Sequence, residues 1–209
     1  MATGRAQPAV FTRPGTMIVT GIVGQARAEA AGNTRTLKVD ERLRAEVTLR
    51  TERRSTLNVE FGNGALLKLG SDSEVVVDEF WQLPHSQPGK MADWKEEPSP
   101  SQTRLRLARG DLTLTVLPLI TARGSSCTLE SLAGSVRITG GVLFVRIQMT
   151  ELGLGVCQLD LRQGAAEFEA AGGAVTRLAP GKPLALAIEV DRAGGVKLSE
   201  APKAGPARN

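Results

Sequence analysis

The feature that most constrains this chain is a hydrophobic period of two, broken at short intervals by glycine. Leu57, Val59 and Phe61 alternate with Asn58 and Glu60, and Gly62-Asn63-Gly64 leads into Ala65, Leu67 and Leu69. Side chains alternate between the two faces of a strand, so such runs suit half-buried strands and not helices. Asn-Gly supplies the positive φ angles of a tight turn, which predicts a hairpin over 57–69. Leu105 and Leu107 lead through Arg109-Gly110-Asp111 to Leu112, Leu114 and Val116, a second expected hairpin. Val136 and Ile138 pass through Thr139-Gly140-Gly141 into Leu143, Val145, Ile147 and Met149. Leu159 and Leu161, then Gln163-Gly164, then Ala166, Phe168 and Ala170 give a third expected hairpin. Roughly twelve to fifteen short strands separated by turn signals predict an all-β fold.

At 209 residues the chain suits one domain with tails. Met1 to Gly15 is rich in Gly, Pro and Ala and does not read as a signal peptide; either the protein is cytoplasmic or an export signal has been removed. Residues 1–15 and 193–209 read as flexible segments around a domain over 16–192, with Val196 and Leu198 suited to one last strand. Asp40 to Val47 has the composition of a helix, although Val47, Leu49 and Thr51 already alternate. No apolar run approaches the roughly 18 residues of a transmembrane helix.

The charge excludes little. There are 26 basic and 22 acidic residues, and the densest basic stretch, Arg35 to Arg54, interleaves seven basic residues with four acids. Mixed signs read as a solvated surface and not as a nucleic-acid face. Aromatic content is 3%, with 5 Phe, 2 Trp and no Tyr, too few for the stacking platforms of single-strand binders. Three of those rings fall in one segment, 80–103, which breaks the alternation and also holds Pro84, Pro88, Pro98, Pro100 and the sole histidine. A long loop in a compact domain is commonly functional. Phe80, Trp81, His85 and Trp94 are therefore the candidate partner or ligand surface, with capping of the β-core by either Trp as the competing reading.

No catalytic set emerges. A Ser-His-Asp site would have to use His85 in its proline-rich loop, and no Gly-x-Ser-x-Gly elbow occurs. Asp72, Glu74, Asp78 and Glu79 before the loop, and Asp93, Glu96 and Glu97 at its end, lack the spacing of a calcium loop. The expectation is therefore no catalytic, metal or cofactor site. Cys127 and Cys157 fall in two alternating runs; they are either buried free thiols or, in an exported protein, a disulfide worth about 3–4 kcal/mol in the loop-entropy model.

The chain resembles the FecR domain family. That family opens on a strand similar to Thr20-Gly21-Ile22-Val23-Gly24. It continues with a Thr … Ser-x-x-x-Leu-x-Phe-x-Asp-Gly-Ser-x-Leu-x-Leu-x-x-x-Ser segment, matched by Thr51, Ser55, Leu57, Val59, Phe61, Asn63, Gly64, Leu67, Leu69, Ser71 and Ser73. Leu107, Gly110, Leu112 and Leu114 stand for its Leu-x-x-Gly-x-Leu-x-Val pair. Ile138 to Val145, Cys157 to Phe168 and Leu178 to Lys182 resemble its later elements. Here Asn-Gly replaces Asp-Gly, and Gly140-Gly141 replaces Gly-Thr. The resemblance covers about 16–190 and implies a compact roll-like or solenoid-like all-β domain, extended over 40–47. It also implies a place in the periplasm or at the cell surface and a non-enzymatic role in signal transduction: ligand sensing, or recognition of a protein partner in the cell envelope. A carbohydrate- or peptidoglycan-binding module, or a structural domain of a larger envelope assembly, is the alternative.

Overall fold

The computed structural model describes residues 10–86 and 93–201. The strands in chain order are β1 (Met17–Val23), β2 (Ala26–Ala30), β3 (Asn33–Thr36), β4 (Arg42–Leu43), β5 (Val47–Thr51), β6 (Thr56–Phe61), β7 (Leu66–Leu69) and β8 (Glu74–Gln82). They continue with β9 (Ser101–Val116), β10 (Ser126–Ser131), β11 (Gly134–Met149), β12 (Leu154–Ala170), β13 (Val175–Leu178), β14 (Leu184–Val190) and β15 (Val196–Glu200). A 3-10 turn, Thr121–Arg123, precedes β10. The protein is all-β, and no helix among the described residues is long and apolar enough to cross a membrane.

All fifteen strands belong to one hydrogen-bonded sheet that folds over on itself without closing. One layer runs β3-β2-β5-β8, the first half of β9, β10, the first half of β11, the second half of β12, and β13. The other runs β4-β1-β6-β7, the second half of β9, the second half of β11, the first half of β12, β14 and β15. Their inward side chains form a single buried cluster. Phe61 of β6 meets Phe80 of β8 across it, edge to face, with centroids 5.0 Å apart. Leu, Val, Ile and Ala fill most of the remainder, with Met17, Phe168 and the two cysteines, which is why so few rings suffice.

Glycine makes the corners where strands pass between layers. The hairpin expected over 57–69 is present as β6–β7. The hairpins expected around Gly110 and Gly164 are not hairpins: β9 and β12 run straight through as single bent strands, and β11 does the same at Gly140-Gly141. A glycine at positive φ either reverses a chain or bends it; here the pairing partners on both sides enforce the bend. Gly110 has φ +84, and a Cβ there would lie 2.1 Å from Ser73 Oγ.

At that same corner β1 passes to β2, β5 to β6 and β7 to β8. Bending breaks the regular ladder, and short hydroxyl side chains satisfy the backbone groups released. Gln25 N–H donates to Ser55 Oγ (2.9 Å), Ser73 N–H to Thr51 Oγ1 (3.1 Å), Arg54 N–H to Ser71 Oγ (2.8 Å) and Asp111 N–H to Ser73 Oγ (2.9 Å). Thr51, Ser55, Ser71 and Ser73 are the hydroxyl residues of the motif quoted above. Their position makes that motif a corner-building device. The helix composed over 40–47 does not form; Asp40 and Glu46 have positive φ (66° and 63°) and bracket β4 as the chain crosses from one layer to the other.

Candidate functional site

The four candidate residues divide among three environments. Phe80 is fully buried in the core: it borders the floor of the groove beside Trp81 without exposing its ring, which corrects its assignment to an exposed binding face. A bulge between Val77 and Glu79 shifts the phase of β8, so Phe80 points inward and its neighbour Trp81 outward. His85 and Trp94 come together, with ring centroids 5.5 Å apart in an edge-to-face arrangement. Trp94 lies over the β6–β7 turn, where a Cβ on Gly64 would sit 3.3 Å from the indole. This pair caps one end of the sandwich.

Residues 97–101, which lead into β9, are tied down by a buried polar network. Glu97 is 1% exposed. Its Oε2 accepts from Ser101 Oγ (2.6 Å), its Oε1 accepts from Ile120 N–H (2.7 Å), and its own N–H donates to Pro118 O (3.1 Å). Asn63 Nδ2 donates to Ser101 Oγ (2.9 Å) and Asn63 Oδ1 accepts from Ala65 N–H (3.0 Å). Gln82 Nε2 donates to Ser99 Oγ (3.2 Å), which donates to Leu83 O (2.6 Å). The turn residue Asn63 thus also anchors the loop. In the sequence Glu97 is one of several loop acids, and its one visible signal is the alternation of Glu97, Ser99 and Ser101 with Pro98 and Pro100.

Trp81 stands apart, half-buried on the wall of a groove of about 600 Å³ bounded also by Pro14, Arg44, Glu46, Asp78, Glu79 and Arg104. The groove exists because β5 stops at Val47, opposite Val77, leaving the end of β8 without a strand neighbour on that side. Arg13 to Gly15 covers part of that edge: Gly15 N–H donates to Phe80 O (2.8 Å), Gln82 N–H to Arg13 O (3.3 Å), and Pro14 faces Trp81. The carboxylates here are held by arginines from the neighbouring strand. Asp78 pairs with Arg106 through two hydrogen bonds (2.6 and 3.3 Å), and Glu79 bonds Arg104. Asp78 raises the pKa of Arg106 through its hydrogen bonds and charge. Glu74 likewise bridges Arg50 and Arg109. Arg44 and Glu46 have no ion pair among the described residues, so they are the groove's uncommitted charges.

Cys127 and Cys157 are both buried and free. They lie on β10 and β12, with β11 between. Burial pushes both thiols up to about 12, helped at Cys127 by the negative charge of Glu97.

No protein-family model matches the sequence, and no curated protein matches it. The chain is similar to two crystal structures described as a "putative anti-sigma factor from Parabacteroides distasonis ATCC 8503", with TM-scores of 0.46 and 0.44 at 13% and 12% identity. The superpositions cover 73% of this chain and 59% of the other, so the chain spans about three-fifths of the length of those proteins.

Proposed function

We propose that this chain is a FecR-like, non-enzymatic recognition domain of the cell envelope, working in the periplasm or at the cell surface, and that it binds a protein partner through the groove beside Trp81. The observation that carries this reading is the groove itself. A half-exposed Trp borders it, the adjacent carboxylates are committed to arginines, and Arg44 and Glu46 are left to select a ligand. Large aromatic side chains with one exposed face dominate binding energy at protein interfaces. The ordered motif match and the corner hydroxyls that it specifies support the FecR-like assignment. The same Trp beside carboxylates also suits stacking on a sugar ring, which makes a cell-wall glycan the second reading.

Capture from envelope extracts with immobilised protein tests the first reading. A partner retained by the wild type and lost with Trp81→Ala, while melting is unchanged, supports it; an unchanged partner set removes the groove from the proposal. Titration of the intrinsic Trp fluorescence with soluble cell-wall fragments separates the second: a saturable shift abolished by Trp81→Ala favours the glycan, and no shift at millimolar fragment excludes it. Fractionation of the native host with antibody to this chain tests the compartment; recovery in the cytoplasm alone would refute it.

A further inference from the structure

The edge of β8 that faces away from β9 has two backbone neighbours with a gap between them. The chain entering β5 covers its start, where Val77 O accepts from Glu46 N–H (2.8 Å). Residues 13–15 cover its end. There Phe80 O accepts from Gly15 N–H (2.8 Å), Gln82 N–H donates to Arg13 O (3.3 Å), and Pro14 lies antiparallel to Trp81. Between the two neighbours, at Asp78 and Glu79, no backbone hydrogen bond crosses this edge among the described residues. The groove beside Trp81 opens at that gap, with Glu46 on one side and Pro14 on the other.

Residues 13–15 hold this edge weakly. They contribute two backbone hydrogen bonds, the central residue is a proline with no N–H to donate, and Arg13 and Pro14 are exposed. They also cannot extend into the gap. Thr16 O accepts from Gly62 N–H (2.9 Å) and Met17 pairs with Leu43 and Phe61, so the chain leaves β8 for β1 directly after Gly15. A segment not tethered to β1 has no such limit and can follow β8 past Phe80 to Glu79 and Asp78. One position is restricted. Gly15 is buried, and a Cβ there would lie 2.3 Å from the Phe80 ring. A strand in this register therefore needs glycine opposite Phe80.

We infer that the edge of β8 over residues 78–82 is a strand-acceptor site for an extended, glycine-containing segment of a partner protein, which displaces residues 13–15 and pairs antiparallel with β8, its glycine opposite Phe80. This assignment rests on the partner-binding role proposed for the Trp81 groove and states how the partner is held. The edge itself selects the occupant. A row of main-chain N–H and C=O groups is matched by another extended backbone, and residues 13–15 already show the direction and register of that pairing. The gap favours a segment from outside the chain, because only an untethered strand adds pairing there to what residues 13–15 supply. Arg44 and Glu46, across the gap, then meet the side chains of the entering strand.

Fluorescence anisotropy tests the assignment with a labelled peptide of residues 10–17 of this chain (Val-Phe-Thr-Arg-Pro-Gly-Thr-Met) as probe, and with the same peptide carrying Ala for its Gly. Gly15→Ala should drive the protein's own segment off β8 through the clash with Phe80. It should then bind the glycine probe saturably and about tenfold more tightly than the wild type, whose edge is covered. The alanine probe should bind about tenfold more weakly than the glycine probe. Arg13→Gly/Pro14→Gly loosens the segment without touching Phe80 and should fall between the wild type and Gly15→Ala, which keeps the test decisive if Gly15→Ala lowers the melting temperature. Equal binding of the two probes, equal affinity of the wild type and both variants, or no saturation at millimolar probe would each overturn strand addition. A wild-type dimer lost in Gly15→Ala would seat a second copy on the edge and would overturn the partner assignment. Capture of the envelope partner by wild type and Trp81→Ala is scored separately: a partner still lost with Trp81→Ala when the probes fail overturns strand addition and leaves the groove as a side-chain contact surface.

Discussion

Phe80 and Trp81 are adjacent in sequence and opposite in role. Continuing the alternation of Val75 and Val77 without interruption would aim Trp81 inward and Phe80 outward. The bulge after Val77 reverses them, and nothing in the local sequence announces it, because its cause is the pairing of β8 with β9 beyond the proline-rich segment. Phe80→Ala should therefore cost about 3–5 kcal/mol as a large core deletion, and Trp81→Ala about 1 kcal/mol or less, the range of a surface change. Urea denaturation of the two variants checks this; comparable losses would mean that Trp81 belongs to the core. Gly110 is the second residue with a sharp expectation. Its backbone is left-handed, and a Cβ would strike both the side chain and the backbone of Ser73. Gly110→Ala should lose about 1–3 kcal/mol from strain at this position, beyond any gain from a stiffer unfolded chain. A neutral result in the same denaturation assay would mean that the corner has slack.

Elements were legible in kind more than in connection. The period of two identified the strands, and Asn63-Gly64 correctly marked a reversal. Gly110 and Gly164 carry the same local signal and mark bends. The distinction lies in partners far along the chain: β9 takes β8 and β10 along one half and β7 and β11 along the other, so the strand is held straight through its glycine. The proline-rich loop was likewise visible as a break, while its anchoring was not, because Glu97 reaches Ile120 and Ser101 only after both layers are assembled. Glu97→Ala strands the Ile120 amide and the Ser101 hydroxyl, at roughly 1–3 kcal/mol for each group left unpaired. Amide hydrogen exchange at Ile120 should accelerate in that variant while the β6–β7 ladder stays protected. Glu97→Gln keeps an acceptor for one of the two donors and should fall between. An Ile120 amide as slow in Glu97→Ala as in the wild type would show that the loop is held elsewhere.

Three strands, β9, β11 and β12, each contribute to both layers, so neither layer can melt while the other persists. The whole molecule is therefore one cooperative unit, and its alkaline limit is set partly by the two buried thiols. In the unfolded chain these groups lose their protons from about pH 9; in the folded protein burial holds them protonated to about 12. Across that window the unfolded state binds fewer protons than the folded one, so stability is full below about pH 9 and declines as the pH rises toward 12. No tyrosine titrates in the same range, which leaves the thiols a readable share of the slope. A Cys127→Ala/Cys157→Ala variant should be less stable than the wild type at pH 8.5, from lost packing, and should lose less of what remains between pH 8.5 and 10.5. Urea midpoints at the two pH values measure both quantities. Parallel declines in the two proteins would show that the thiols ionise as freely in the fold as outside it, and would contradict their burial between the layers.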